Sequence, residues 1–332
     1  MRALVTGGGG FLGEAIVRRL RARGDEVRSL ARGDYPALRE IGVDVHRGDI
    51  GDSEAVHAAA EGCDVVFHVA AKAGIWGPYE EYHRANVVGT ENVIGACRAH
   101  GIGKLVHTSS PSVVFDGEDQ EGVDETTPYP EHFLAHYPRT KAEAERLVLA
   151  ANDNELATVA LRPHLIWGPG DNHLVPRVIA RARAGKLRLV GGRPTPAVDS
   201  VYIDNAADAH LDAEARLAVG SPVAGKAYFI SQGEPVPLSE LIDGILGAAE
   251  LPPVDRSVSP RAAYVVGSML EAVYGLFRIE SEPVMTRFLA RQLATAHWFD
   301  ISAAKEELGY EPKVDISEGL ERLSAWLSEE ER

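Results

Sequence analysis

A tyrosine and a lysine four residues apart, in the run Tyr137-Pro138-Arg139-Thr140-Lys141, are the residues of this chain best suited to moving a proton. At the start of a helix that spacing puts both side chains on one face. A neighbouring ammonium is expected to lower the phenol's pKa and to offer donors to sugar hydroxyls. The phenol then exchanges a proton with a carbonyl or carbinol oxygen near neutral pH. Upstream, Lys104-Leu105-Val106-His107-Thr108-Ser109-Ser110 reads as a strand ending in hydroxyls, which supply a hydrogen-bond donor for a substrate oxygen. Tyr-x-x-x-Lys arises often by chance, so its meaning depends on what else the chain carries.

The first strand runs straight into Thr6-Gly7-Gly8-Gly9-Gly10-Phe11-Leu12-Gly13 and then an amphipathic helix. Gly7, Gly10 and Gly13 have Gly-x-x-Gly-x-x-Gly spacing, one residue wider at the first gap than the common dinucleotide fingerprint. Glycines let the backbone turn sharply and approach a pyrophosphate, whose charge sits against amides at a helix N-terminus. The end of the second strand selects the dinucleotide. An NAD site presents a carboxylate there for the ribose 2′-hydroxyl, but this chain has Ala31 followed by Arg32. A guanidinium can clasp a 2′-phosphate, so NADP(H) is favoured, with NAD(H) as the alternative. After the third strand, Asp49 could accept from the adenine amino group while Ile50 packs on the ring. No metal is expected: His132 and His136 are four apart but lack the glutamate of a zinc-protease helix. Hydrolase chemistry is unexpected too, for want of a Gly-x-Ser-x-Gly elbow.

These residues need a scaffold, and the pattern supplies one. Arg2–Thr6, Glu26–Ala31, Val43–Arg47, Asp64–Val69, Lys104–Ser109 and Thr158–Leu161 read as buried strands. They alternate with helical periodicity over Phe11–Arg23, Ser53–Glu61, Tyr82–His100 and Arg139–Asn152. Strands apolar on both faces and joined through helices belong to a doubly wound parallel sheet, an α/β Rossmann fold. A dinucleotide-binding core over 1–170, rejoined by about 199–231, is expected to share a cleft with a smaller C-terminal substrate-binding lobe formed mainly by 171–198 and 232–332. The apolar run Ala262 to Phe277 reads as a core or pocket helix, too short and with Glu271 in its middle, so no integral membrane span is expected. Glu329–Glu331 reads as a solvated helix end.

The chain has 332 residues, 34 Lys plus Arg and 49 Asp plus Glu, so its net charge of −15 repels nucleic acid and anionic membrane alike. Two cysteines, Cys63 and Cys97, make no disulfide framework. The N-terminus begins a strand with no secretory leader, and a cytoplasmic location, with peripheral membrane contact as an option, is the expectation.

Taken together, TGGGGFLG, GDI at 48–50, HVAA at 68–71, ANVVGTENV at 85–93, HTSS at 107–110, YPRTK and LRPHLIWGPGD at 161–171 resemble the extended short-chain dehydrogenase/reductases, over almost the whole chain. The resemblance implies that Tyr137 is the general acid/base and Lys141 its activator and ribose anchor. It makes Ser110, or its neighbour Ser109, the hydroxyl that holds the substrate oxygen. Asn86 matches the asparagine that keeps a water or backbone contact near the lysine. Pro163 matches the residue packed by the carboxamide. Ala70, Ala71 and Lys72 are expected beside the cofactor ribose and pyrophosphate, with Thr6, Phe11, Leu12 and Ser109 completing the cofactor set.

Within that family the chain departs from nucleotide-sugar epimerases, which commonly carry a tyrosine where this chain has Val114. DNHLVPRVIARARAGKLRLVGG, VDSVYIDNAADAH and the apolar segment at 262–277 resemble the 3β-hydroxysteroid dehydrogenase branch, including sterol-4-carboxylate dehydrogenases, and AAKAGIWGPYEEYHRANVVGT with ATVALRPHLIWGPGD resembles bacterial enzymes that reduce 2-alkyl-3-oxoalkanoates in olefin biosynthesis. Both substrates are lipophilic β-hydroxy acids or their keto forms. The expected function is therefore reduction of a lipophilic β-keto acid, with a 3β-hydroxysteroid or sterol dehydrogenase, and then a nucleotide-sugar epimerase or dehydratase, as alternatives. Trp76, Tyr79, Trp167, Tyr202, Tyr264, Phe277 and Phe288 are candidate apolar walls. His164, Arg177 and Arg193 are candidate partners for the carboxylate. The resemblance also implies a homodimer, built on the helices at 82–100 and 139–152, and association with other olefin-pathway enzymes.

Overall fold

The computed structural model describes residues 1–330. The first half alternates: β1 (Arg2–Thr6), α1 (Phe11–Ala22), β2 (Glu26–Ala31), α2 (Pro36–Glu40), β3 (Asp44–Arg47), α3 (Ser53–Ala60) and β4 (Val65–His68). A short α4 (Tyr79–Tyr82) passes through a π-helical turn (His83–Val88) into α5 (Gly89–Ala99). Then come β5 (Lys104–Thr108), β6 (Gln120–Val123), α6 (His136–Ala150) and β7 (Ala157–Pro163). The rest begins with β8 (Ile166–Trp167), α7 (Leu174–Arg183), β9 (Leu189–Val190), β10 (Ala197–Val198), β11 (Val201–Tyr202), α8 (Ile203–Arg216) and β12 (Lys226–Ile230). It closes with β13 (Val236–Pro237), α9 (Leu238–Ala248), β14 (Ser257–Val258), α10 (Pro260–Leu276), α11 (Arg287–Ala294), β15 (His297–Phe299) and α12 (Ile316–Glu330). The acidic run at 329–331 therefore extends past the described residues.

A seven-stranded sheet, β12-β7-β5-β4-β1-β2-β3, is parallel throughout. Alternation along β1 shows why it is covered on both sides: Ala3 and Val5 join one hydrophobic core and Leu4 the other. α1 and α8 pack together on the first side, while α3 and α5 pack together on the second. The chain reverses its order of strand addition between β1 and β4, and in open α/β sheets the crevice outside the strand ends at such a point takes the ligand.

A second sheet, β13-β10-β15-β6, gathers strands from distant parts of the chain, including β6 from within the first 170 residues. The apolar helix expected inside the protein, α10, is covered on one side only. Ala263 and Gly267 are buried, and a Cβ at Gly267 would come within 2.7 Å of the Thr286 backbone, so the helix lies directly on the start of α11. Its other face leaves Val265, Met269, Val273, Leu276 and Phe277 in solvent, Leu276 at 77% and Phe277 at 70% exposure, so Phe277 is no pocket wall. No helix among the described residues is long and apolar enough to cross a membrane.

Candidate active site

The glycine turn is shaped by contacts only glycine permits. Gly7 has φ +71°, and a Cβ on Gly13 would stand 2.1 Å from the Gly7 carbonyl oxygen. Gly10, which precedes α1, offers no side-chain cap, so the first amides of that helix keep their hydrogen-bonding capacity for an anion. Thr6, expected to touch the cofactor, is instead fully buried behind the turn, because its hydroxyl is committed elsewhere. The Thr90 hydroxyl donates to the Asn86 carbonyl at 2.6 Å, so it must accept from His68 Nε2, leaving Nδ1 to accept from the Thr6 hydroxyl at 2.8 Å. Thr6 Oγ1 then accepts from the amides of Val69 and Ala70, both at 3.2 Å. Its role is to fix the loop after β4. Burial pushes the His68 pKa down to about 3, in keeping with a neutral ring.

Asn86, carried by the π-helical turn, fixes the same loop from the other side. Its Oδ1 accepts from the Lys72 amide at 2.7 Å, and its Nδ2 donates to the Lys72 carbonyl at 3.2 Å and to Thr140 Oγ1 at 3.0 Å. The carboxamide thus pairs with Lys72 as a neighbouring strand would, and it also reaches α6. Lys72 itself forms an ion pair with Glu81 at 2.8 Å.

Tyr137 and Lys141 stand on the first turns of α6 as the spacing predicts. Ser110 Oγ lies 2.9 Å from Ser112 Oγ and accepts from the Ser112 amide at 3.2 Å as the cap of the short turn that follows β5. Burial holds the Tyr137 phenol above its ordinary pKa, opposed by the neighbouring Ser110 hydroxyl. The expected lowering by Lys141 does not operate in this arrangement: the ammonium donates to the Thr108 carbonyl at 2.6 Å, with His107 Nε2 at 3.4 Å. Burial brings Lys141 down to about 8, and the Glu145 carboxylate one turn along α6 works against that fall. Glu145 is fully buried in a bidentate pair with Arg162, at 2.6 and 3.0 Å, and also accepts from the Tyr129 hydroxyl.

A cavity of about 660 Å³ runs from the glycine turn to Tyr137 and Lys141; Ser110 and Asn86, both expected in the catalytic set, do not line it. It is lined by Gly7, Gly10, Phe11, Leu12, Gly13, Arg32, Asp49, Ile50, Ala70, Ala71, Lys72, Ser109, Tyr137 and Lys141. The glycine cradle, the uncapped amides and the size of this cavity fit a dinucleotide. Pro163 is buried at the end of β7 and does not line the cavity. Tyr35, Arg84, Asp171 and His173 do line it, and sequence reasoning missed them. Tyr35 packs on the turn: a Cβ at Gly9 would fall 2.3 Å from its ring.

None of the ten substrate candidates, the seven aromatic walls and the three carboxylate partners, lines this cavity. Trp76 donates to the Ile279 carbonyl at 2.9 Å and meets Tyr274 edge-on, tying the loop before α4 to the end of α10. His164 is sealed against His297 at 2.7 Å, and burial holds its pKa well below the ordinary value, so it offers no cation to a carboxylate. Trp167 and Tyr202 are core residues, packed edge-on against one another beside Gly319. The cations of Arg177 and Arg193 are already paired, with Glu282 at 3.0 Å and Asp243 at 2.8 Å.

Comparison with known proteins agrees with this geometry. A profile of the 3-beta hydroxysteroid dehydrogenase/isomerase family matches residues 4–253. The chain is 55% identical to a 2-alkyl-3-oxoalkanoate reductase of Stenotrophomonas maltophilia over 328 residues, covering 98% of this chain and 99% of that protein. It is 52% identical to the 2-alkyl-3-oxoalkanoate reductase of Shewanella oneidensis, covering 98% of this chain and 86% of that one. The solved structure of MoeE5 with UDP-glucose and NAD superposes with a TM-score of 0.76 at 25% identity, over the full length of both chains.

Proposed function

The chain belongs to the 3-beta hydroxysteroid dehydrogenase/isomerase family, whose members act on hydroxyl and keto groups with NAD(P), and from this premise we propose that it reduces a lipophilic β-keto acid, a 2-alkyl-3-oxoalkanoate, with NADPH. The observation that carries the reading is the Tyr137 phenol, which lines the cavity beside Lys141 and is held above its ordinary pKa by burial. A protonated phenol is the form that donates to a carbonyl oxygen as it gains charge, which favours the reductive direction near neutral pH. Ser110 holds that oxygen, and Lys141 anchors the nicotinamide ribose, exchanging part of its hold on Thr108 for the sugar hydroxyls. The nicotinamide supplies the hydride. The loop at Ala70, Ala71 and Lys72 lies along the ribose and diphosphate, and Asp49 with Ile50 takes the adenine.

The NADP(H) preference in this reading comes from Arg32, which lines the cavity where an NAD site would place a carboxylate. The substrate's alkyl chains are assigned to the region formed mainly by 171–198 and 232–332, next to the Tyr137 end of the cavity. Exposed apolar side chains along α10 support contact of a cytoplasmic protein with a lipid surface. Half-buried Ile94 and Leu147 on α5 and α6 support a homodimer through those helices, and the substrate class places the enzyme with others of olefin formation.

The test follows NADPH absorbance with the purified protein, a long-chain 2-alkyl-3-oxo acid set against a 3-oxosteroid. A higher kcat/KM on the acyclic acid is expected. Preference for the steroid would replace the substrate and leave the Tyr137 chemistry standing.

A further inference from the structure

His68 on β4 and His107 on β5 are partners in the register of the sheet, with ring centroids 5.2 Å apart. Val66 and Leu105, two residues earlier on each strand, belong to the core shared with α5 and α6, so alternation turns both rings to that face. Both are buried, at 1% exposure. Their nitrogens fare differently. Those of His68 are both hydrogen-bonded, to Thr6 and Thr90, whereas Nδ1 of His107 has no partner among the described residues. The hydrogen-bond contact of the His107 ring is at Nε2, which lies 3.4 Å from the Lys141 ammonium.

A buried nitrogen without a partner is unfavourable, and an apolar side chain at position 107 would avoid it. What the imidazole offers in return is an acceptor. An ammonium presents only N–H groups, so Nε2 faces it with a lone pair and the ring proton sits on Nδ1. Burial, with the Lys141 charge alongside, holds His107 well below the ordinary histidine pKa and keeps that lone pair free. The Thr108 carbonyl oxygen is the second acceptor, at 2.6 Å. Two of the three N–H bonds of a tetrahedral ammonium are thereby directed at β5, and the third is left for the cavity that Lys141 lines.

We propose that His107 is a positioning residue for Lys141: its neutral imidazole is the acceptor that orients the ammonium toward the nicotinamide ribose. This rests on the reading of Lys141 as the ribose anchor and adds the group that aims it. At 3.4 Å the contact steers the ammonium while Thr108 holds it. Its effect is greatest when the ribose hydroxyls draw the lysine away from Thr108, because His107 then keeps the ammonium from turning. It also favours the charged lysine, in the same sense as Glu145 on α6 and against burial. The other titratable groups acting on the ring are His68 from β4 and His210 from α8, brought by burial down to about 3 and about 4. Tyr137, one turn before Lys141, is held above its ordinary value by burial. Near pH 8 the lysine is therefore the member of this cluster that changes charge.

The experiment is calorimetric titration of the intact protein with NADPH and, separately, with adenosine 2′,5′-bisphosphate, which lacks the nicotinamide ribose, at a series of pH values on both sides of 8. The variants are His107→Gln, His107→Asn, His107→Leu and Lys141→Met. A glutamine oxygen reaches about as far as Nε2, an asparagine oxygen only as far as Nδ1. His107→Leu and His107→Asn should weaken NADPH roughly three- to tenfold, the scale of one hydrogen bond, and move the alkaline loss of binding to lower pH. His107→Gln should recover most of the affinity and the wild-type pH dependence. The bisphosphate should bind all variants as it binds wild type. A parallel loss for the bisphosphate would overturn the proposal, as would a glutamine variant no better than the asparagine one. Leucine and asparagine variants that match wild type, beside a Lys141→Met that binds NADPH poorly, would remove the role of His107 and keep Lys141 as the anchor. Wild-type NADPH binding in Lys141→Met would remove both.

Discussion

The Lys141 ammonium reaches across to the last residue of β5, donating to the Thr108 carbonyl oxygen at 2.6 Å. Thr108 is steadied in turn from behind. His210 Nδ1 donates to the Ala206 carbonyl at 2.7 Å, so its Nε2 is free to accept from the Thr108 hydroxyl at 2.9 Å. The lysine is thus positioned by groups that are themselves held.

Lys141 should lower stability at neutral pH. Its folded pKa of about 8 lies below the ordinary 10.5, so between those values the unfolded chain carries a proton that the folded one has released. Its contribution is therefore least favourable below pH 8 and improves as pH rises toward 10.5. Lys141→Met should stop turnover while gaining roughly 1–3 kcal/mol at pH 7, a gain that shrinks by pH 10. Thermal melts at the two pH values check it; a loss of stability at pH 7 would mean that the contact with Thr108 outweighs the burial of the charge.

Tyr137→Phe should lower kcat by about 10²–10⁴-fold, the usual worth of a general acid, with NADPH affinity changed by no more than a few-fold. Ser110→Ala should behave differently. It removes the neighbouring hydroxyl that lowers the Tyr137 pKa, so the phenol becomes harder to deprotonate and alcohol oxidation should suffer more than ketone reduction. Steady-state rates in both directions separate the two roles.

Breaking the Glu145–Arg162 pair should be costly because both partners are sealed in, Arg162 at 3% exposure and Glu145 at 0%. Arg162→Met strands a buried carboxylate and should cost about 3–5 kcal/mol, while Glu145→Leu combined with Arg162→Met should recover much of it. Urea unfolding of the single and double variants is the measurement. A single variant as stable as wild type would show that water reaches Glu145.

Two glycines should respond oppositely to alanine. Gly13→Ala places a methyl 2.1 Å from a backbone oxygen that cannot give way, and NADPH affinity should fall more than about tenfold as the turn reshapes. Gly24 has φ +92° with nothing within 4 Å of its Cβ position, so Gly24→Ala should cost only about 1–2 kcal/mol of stability and leave NADPH binding intact. Nucleotide titration and melts on both variants decide the matter.

The parallel sheet was legible because its strands are apolar on both faces. The predicted spans of β1 and β2 coincide with those observed, and Val43–Arg47 differs from β3 by one residue. The glycine turn and the Tyr137 helix were legible because short-range spacing alone fixes their geometry. Thr6, His164, Trp167 and Tyr202 were not, since residue type does not reveal whether a side chain faces a cavity or a neighbouring helix. Tyr35 and Arg84 escaped for a related reason: they come from a loop and a π-helical turn, where no regular period says which way a side chain points. Arg177 reads as a free cation until Glu282, more than a hundred residues away, is folded against it.

The Asn86 carboxamide, bonded to both the amide and the carbonyl of Lys72, has a thermodynamic consequence. Fixing the backbone of a residue costs about 1–2 kcal/mol, and the stretch from Ala70 to Lys72 is already fixed from behind by Asn86 and Thr6. Nucleotide association then proceeds without a disorder-to-order penalty at this wall, and the encounter rate should be set by diffusion into an existing cleft.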